Sequence, residues 1–147
     1  MNALTADGIA INKKKYSDIS NLNFETCDVT KNLPNLGINL DIPKSIYARF
    51  FIHALQTDGI AKFFDNCEKL MLHRDKLFLE YRTVEDTDRA KTTSLHYRNF
   101  LRVKEVEQLL NACQLKTLYF TQGIGYAKWK DDDAFVARHI VGLAQNG

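Results

Sequence analysis

Residues 76–82 read KLFLEYR, and this short stretch indicates the class of fold. Leu77, Phe78 and Leu79 are consecutive apolar residues without a polar residue between them. A run of this kind is typical of a strand that is covered on both faces, as central parallel strands are. We therefore predict that a buried parallel strand lies in the middle of a sheet.

Helical patterns lie on both sides of this strand in the sequence. Upstream, Thr57 and Asp58 can cap a helix, and the apolar residues that follow are three or four positions apart. Downstream, an apolar stripe of the same spacing faces lysine, glutamate and glutamine residues. We predict two amphipathic helices. Their stripes are Ile60, Phe63, Phe64, Cys67, Leu70 and Met71, and then Val103, Val106, Leu109, Leu110 and Cys113.

Four further segments are rich in β-branched and aromatic residues or alternate in polarity, and they predict strands. They are residues 22–29 (LNFETCDV), 46–52 (IYARFFI), 115–122 (LKTLYFTQ) and 134–143 (AFVARHIVGL). The last two are predicted to form a closing antiparallel hairpin. Residues 8–19 predict a short helix with Ile9, Tyr16 and Ile19 facing inward. Alternating strands and helices favour an α/β fold with a mostly parallel sheet and this carboxyl-terminal hairpin.

The composition is that of one globular domain. The chain has 147 residues, of which 45% are hydrophobic and 26% charged, enough to form a core without staples. Lysine and arginine number 20 and aspartate and glutamate 18, with the two signs interspersed, so we expect neither nucleic acid nor a membrane as a partner. His73 and His139 lack partners at metal-ligand spacing, so no metal is expected.

Cysteine usage and the first residues bear on location. Cys27, Cys67 and Cys113 are an odd number and too far apart for paired metal ligands. The first residues contain no basic start followed by an apolar run, so no secretory signal is predicted. We expect a cytoplasmic protein with reduced thiols.

The sheet predicts where a ligand would bind. In open α/β sheets, ligands lie outside the carboxyl ends of the strands. This rule places residues 27–30, 47–53 and 80–83 on one rim.

The ordered segments resemble the carboxyl-terminal two thirds of a class I S-adenosylmethionine-dependent methyltransferase domain, whose sheet ends with a reversed final strand. The resemblance covers residues 8–143. It implies a partial Rossmann-like methyltransferase sheet, with 1–147 as a single domain. In wording, YARFFIHAL, LEYRT and ARHIV resemble a bacterial subgroup associated with polysaccharide or capsule gene clusters. The segments that carry the resemblance are NLNFETCDVT (21–30), IYARFFIHAL (46–55), KLFLEYRT (76–83), HYRNFLRVKEVEQLLNACQL (96–115) and the closing hairpin.

The sequence departs from this family at its amino-terminal end. The family's first strand leads into a glycine-rich turn that approaches the cofactor, and its second strand ends in an acidic residue. Neither feature precedes residue 22, where Gly8 is the only glycine. Gly123 and Gly125 lie in the late hairpin and do not replace the turn. We therefore expect a domain that is truncated at its amino terminus.

The resemblance implies cofactor contacts and one catalytic residue. Asp28 would accept a hydrogen bond from the adenine of S-adenosylmethionine, with the Val29 amide nearby, or it would cap a turn before Thr30. Arg49 would pair with a carboxylate of cofactor or substrate, or form an internal salt bridge. His53 would take a proton from a hydroxyl nucleophile, or sit at a helix start with its hydrogen bond satisfied.

The acceptor pocket would be lined by two groups of residues. The first is Glu80, Tyr81 and Arg82, at the end of the central strand. The second is His96, Tyr97 and Arg98, before the second helix. For each arginine, a structural ion pair is the alternative.

These residues favour two functions. One is methyl transfer to a hydroxyl of a small molecule or saccharide, weak or absent in a chain without the glycine-rich turn. The other is a non-catalytic remnant that acts as a binding or oligomerisation module. Such a remnant would expose a sheet edge, which a second copy or a partner chain would cover.

Overall fold

The computed structural model describes residues 6–33, 37, 39, 41–88 and 99–144. Within these residues the structure contains two 3-10 turns, Ile52–Ala54 and Val84–Asp86, in addition to its helices and strands. No helix in these ranges is long and apolar enough to cross a membrane. The helices are α1 (Ala6–Lys15), α2 (Thr57–Leu70) and α3 (Val103–Ala112), and the strands are β1 (Ser45–Arg49), β2 (Lys76–Arg82), β3 (Leu115–Gly123), β4 (Lys128–Trp129), β5 (Asp132–Asp133) and β6 (Val136–Leu143).

The main sheet has the strand order β1-β2-β6-β3. β1 and β2 are parallel, and β6 is antiparallel to both of its neighbours. Three strands therefore run in one direction, and the last strand is reversed and lies inside the sheet. This confirms the α/β class, the hairpin of β3 with β6 and the reversed final strand. The prediction that β2 is a parallel strand holds only towards β1, because its other neighbour is β6.

The core lies between one face of the sheet and helices α2 and α3. The predicted stripe of α2 is buried at Ile60, Phe63, Phe64 and Cys67, and the sheet side is formed by alternate residues of the strands. Every second residue of a strand points to the same face. The face of β2 that meets the core therefore consists of Leu77, Leu79 and Tyr81, which are at most 2% exposed.

The predicted strand at residues 22–29 is wrong, since residues 22–28 have no regular secondary structure. The end of the segment contacts α2 instead. The side-chain amide of Asn66 donates hydrogen bonds to the carbonyl oxygens of Val29 (2.8 Å) and Lys31 (2.7 Å). Alternating polarity does not make a strand unless a neighbouring strand accepts its backbone groups, and residues 22–28 pair with no strand of the described sheet.

Two smaller predictions also need correction. Residues 6–15 form the expected first helix with Ile9 buried, but Ile19 is 42% exposed and lies beyond the helix. The residue that precedes α2 is Gln56, which makes no side-chain capping bond. Thr57 and Asp58 are instead the first helical residues, where the Asp58 carboxylate suits the helix dipole.

The loop before β2 is held by a buried carboxylate. Asp75 accepts hydrogen bonds from the backbone amides of Lys44 and Leu72 and pairs with the Lys44 ammonium, all at 2.7 Å. Burial alone would raise the pKa of Asp75, but these donors outweigh it and lower that pKa to about 2. The contact joins the segment before β1 to the start of β2.

We predict an acid-dependent loss of stability from this carboxylate. Its contribution is complete above the usual pKa of 3.8 and disappears as the pH falls through about 2, because the unfolded chain takes up the proton first. Asp75→Asn should therefore be less stable at neutral pH and should lack this dependence between these two pH values in urea unfolding. Asp65→Asn, which removes an exposed pair with Lys69, is the control. An unchanged acid profile in Asp75→Asn would contradict the assignment.

Candidate functional site

The carboxyl ends of β1 and β2 meet at one rim, as parallel pairing requires. Arg49 lies opposite Glu80 in the register, and its Nε is 2.7 Å from Glu80 Oε1. The backbone amide of Phe50 donates to the carbonyl of Glu80 at 2.8 Å. Residues 47–53 and 80–83 are thus brought together as predicted, and the rim is the candidate site.

Glu80 is shared by two arginines. Its other carboxylate oxygen is 2.5 Å from Nε of Arg138 on β6, and the residue is 4% exposed. The hydrogen bond to Glu80 raises the pKa of Arg49. Of the two roles predicted for Arg49, the structure shows the internal salt bridge. The Arg49 side chain nevertheless remains 45% exposed.

Phe50 lies within the predicted rim at residues 47–53, but it is not among the predicted site residues. Its φ of 51° lies in the left-handed region, which is costly for an aromatic residue and common at functional sites. The ring lies 5.0 Å from the Arg49 guanidinium carbon, 5.6 Å from that of Arg82 and 5.7 Å from the His53 ring. It therefore joins three of the predicted site residues. Only its position directly after β1 could have indicated this role.

His53 lies in the 3-10 turn after β1 and is 6% exposed. Its Nδ1 accepts a long hydrogen bond from the Arg82 backbone amide at 3.4 Å, and its carbonyl oxygen accepts one from the Asn99 amide at 2.7 Å. When Nδ1 accepts, the neutral ring carries its proton on Nε2. In this tautomer Nε2 donates, so proton uptake by His53 would require Nδ1 to give up the Arg82 amide.

Arg82 is held by two carboxylates. Its terminal nitrogens are 2.6 Å from Asp86 and 2.9 Å from Asp132, and Asp86 also accepts the Phe135 amide at 2.8 Å. All three charged residues are buried. These contacts connect the end of β2 to the segment between β3 and β6. Of the two roles predicted for Arg82, the structure therefore shows the structural ion pair.

Tyr81 points away from the rim, into the core. Its hydroxyl is 2.9 Å from His139 Nε2, and His139 Nδ1 lies 3.1 Å from Thr117 Oγ1 and 3.2 Å from Glu107 Oε1. Burial raises the pKa of Tyr81 and, against the nearby Glu107, lowers that of His139. The Tyr81 hydroxyl therefore serves a buried network. The other predicted acceptor residues, His96, Tyr97 and Arg98, lie outside the described residues.

Asp28 forms a local turn. Its carboxylate accepts hydrogen bonds from the amide (3.0 Å) and hydroxyl (2.7 Å) of Thr30, and the hydroxyl bond is the main reason that the pKa of Asp28 is lowered. The Lys31 ammonium lies 3.4 Å from the other carboxylate oxygen of Asp28, Oδ2. Of the two roles predicted for Asp28, this geometry is that of the residue that caps a turn before Thr30.

Solved structures of other proteins have the same fold as this chain, although no family model and no curated protein matches the sequence. An S-adenosylmethionine-dependent methyltransferase from Clostridium acetobutylicum superposes with a TM-score of 0.70 at 10% identity, covering 97% of this chain and 73% of that one. One from Methanosarcina mazei gives 0.66 at 9% identity, with 96% and 79% covered.

A third similar structure is a methyltransferase of the same kind from Leishmania major. It gives a TM-score of 0.63 at 13% identity, and this chain covers 51% of its length. Identities this low show the fold alone. The chain has the α/β fold of S-adenosylmethionine-dependent methyltransferases.

The described residues do not form a complete cradle for that cofactor. They contain no glycine-rich turn between a strand and a helix, and the Asp28 carboxylate is engaged in its own turn. One rim group lacks a partner within these ranges: the buried Thr83 hydroxyl makes no hydrogen bond. Nor do the described residues bring three metal-ligating side chains together. We therefore derive no chemical step through the cofactor.

Proposed function

We propose that this chain is an S-adenosylmethionine-dependent methyltransferase-like protein, acting on a hydroxyl of a small molecule or saccharide. The observation that carries the proposal is the topology, in which the reversed β6 lies between β2 and β3, the carboxyl end of β1 carries Arg49, and the turn that follows it carries His53. The sequence YARFFIHAL at residues 47–55 resembles the polysaccharide-associated subgroup, which supports a saccharide acceptor. The incomplete cradle supports weak activity or none. The free thiols at Cys27, Cys67 and Cys113 support a cytoplasmic location.

The chemistry asks little of the protein. If bound, S-adenosylmethionine would supply a methyl group that is already activated, and most of the rate would come from holding donor and acceptor in line. In this proposal His53 orients the acceptor oxygen through Nε2–H, and Arg49 offers its half-exposed guanidinium to a carboxylate. Residues 96–98 would supply acceptor contacts. The side chain of Arg82 already pairs within the protein, so it would shape the pocket wall, whereas the Tyr81 side chain points into the core.

We predict weak, saturable binding of S-adenosylhomocysteine by calorimetric titration. Ligand at 100 times its Kd adds about 2.7 kcal/mol to stability, which is several degrees in Tm for a domain of this size. Asp28→Asn should reduce affinity about tenfold if the carboxylate meets the adenine, because a charge-assisted hydrogen bond is lost. Asp18→Asn, an exposed aspartate nearby in sequence, is the control.

A folded chain that binds no S-adenosylhomocysteine would contradict the proposal and favour the second candidate, a binding or oligomerisation module. One observation supports that candidate: within the described residues β1 pairs with β2 alone and leaves its other edge open. Open edges pair with other chains. Association that rises with concentration in analytical ultracentrifugation, without cofactor binding, would distinguish it.

A further inference from the structure

The face of the sheet opposite α2 and α3 carries a row of apolar side chains across all four strands. Tyr47 lies opposite Phe78, Phe78 opposite Ile140, and Ile140 opposite Tyr119. These four residues border a depression of about 300 Å³. Tyr47 is 68% exposed and Tyr119 58%. Within the described ranges, the helices of the core pack only on the other face.

A β-bulge adds a fifth apolar residue to this row. The register of β3 shifts between Thr117 and Tyr119, which makes Leu118 the extra residue. A Cβ at Gly142 of β6 would lie 3.0 Å from Leu118 Cδ1, so Leu118 occupies the space above that glycine. Leu118 nevertheless stays 53% exposed. The bulge therefore directs one more large apolar side chain to the open face. We call Tyr47, Phe78, Ile140, Tyr119 and Leu118 the cross-strand row.

Positive charge borders the cross-strand row on both sides. Towards the carboxyl ends of β1 and β2, Arg49 and Arg138 share the single carboxylate of Glu80. On the other side, Lys76 and Lys116 line a neighbouring depression of about 430 Å³ together with Leu118. Arg82 lies on the same face of β2 as Glu80 and pairs with Asp86 and Asp132. Five basic side chains and three carboxylates thus border the row. The border has a net positive charge that this face itself does not neutralise.

We propose that the cross-strand row is the docking surface for an acidic amphipathic helix of a partner protein. Apolar contact would come from one stripe of the helix, and its flanking carboxylates would meet the basic border. Three strand spacings of about 4.8 Å make the row about 14 Å long. An α-helix of about three turns spans this length.

Charge argues against the other occupants. Two copies that met through this face would bring like-charged borders together, which opposes a face-to-face dimer. The chain's own α1 ends in Lys13, Lys14 and Lys15 and has the wrong sign. The row crosses the middle of the strands, so Tyr119 and Lys116 lie apart from the carboxyl ends of β1 and β2, although Arg49 borders both the row and the candidate site.

Two synthetic fourteen-residue helical peptides test this inference. Both carry leucine at the same helical spacing, and the flanking positions are glutamate in one and lysine in the other. Fluorescence anisotropy with the full chain should show that the glutamate peptide binds at least about tenfold more tightly, with an advantage that shrinks as salt screens the charges. Tyr119→Ser and Lys116→Glu should each weaken it. Ile11→Ser and Lys104→Glu, exposed changes on α1 and α3, should not.

Three results would overturn the inference. The first is that neither peptide binds, or that both bind equally. The second is that binding of the glutamate peptide is unaffected by Tyr119→Ser and Lys116→Glu in chains with native circular dichroism. The third is a stable dimer in sedimentation that Tyr119→Ser dissociates, which would assign the face to a second copy.

Discussion

Replacing Arg82 by methionine is expected to lower the free energy of unfolding by about 3 to 5 kcal/mol, because two buried carboxylates lose their partner. Asp86 and Asp132 are 0% and 5% exposed and both contact the Arg82 guanidinium. Methionine fills much of the volume but supplies no charge. Urea unfolding measures the effect, which corresponds to a fall in Tm of about 10 °C.

Further variants separate the ion pair from other roles of Arg82. Arg102→Met removes an exposed pair with Glu105 and should cost less than about 1 kcal/mol. Adding Asp86→Asn and Asp132→Asn to Arg82→Met should recover part of the loss, since the unpaired charges disappear. If Arg82→Met had the stability of the wild type, the buried ion pairs would not be structural, and the substrate role predicted for Arg82 would gain support.

Replacing Phe64 by alanine is expected to destabilise the fold by about 3 to 5 kcal/mol, through lost transfer energy and the cavity that remains. Phe64 is 0% exposed, lies on the buried stripe of α2 and contacts the ring of Phe63 at 5.8 Å. The measurement is again urea unfolding. The effect should be accompanied by retained helical circular dichroism at low denaturant, because the rest of the stripe stays buried.

A matched phenylalanine on the sheet provides the comparison. Phe120 is 39% exposed and packs on the ring of His139 at 4.8 Å. Phe120→Ala should cost much less than Phe64→Ala, since part of its ring already meets water and no closed cavity forms. Equal losses for the two variants would show that the α2 stripe is not the centre of the core.

Elements with a strong local pattern could be predicted from the sequence. α2 and α3 follow from apolar residues that recur every three or four positions, and β2 follows from a consecutive apolar run. The segment at residues 22–29 also alternates, yet residues 22–28 pair with no strand in the part of the chain that the structure describes. At the end of the segment, the Val29 carbonyl accepts a hydrogen bond from Asn66 of α2. Local pattern describes which face of an element is apolar. It does not say which neighbour accepts the backbone.

The candidate site divides in the same way. Its place at the ends of β1 and β2 could be predicted, because parallel strands bring their carboxyl ends together. The roles of individual side chains could not. Tyr81 is engaged with His139, 58 residues away in sequence, and Arg82 with Asp132, 50 residues away. Phe50, whose ring joins Arg49, Arg82 and His53, has no sequence pattern that marks its left-handed backbone.

Sequence patterns were enough to predict the α/β class, the two amphipathic helices, the buried β2 and the closing hairpin. Each of these depends on the burial of one face by residues close together in the chain. Three features are visible only in the folded chain: β6 lies between β2 and β3, Arg82 pairs with Asp86 and Asp132, and the cross-strand row lies exposed within a basic border. These features depend on the pairing of distant segments, whose energies are set by register and burial in the assembled sheet.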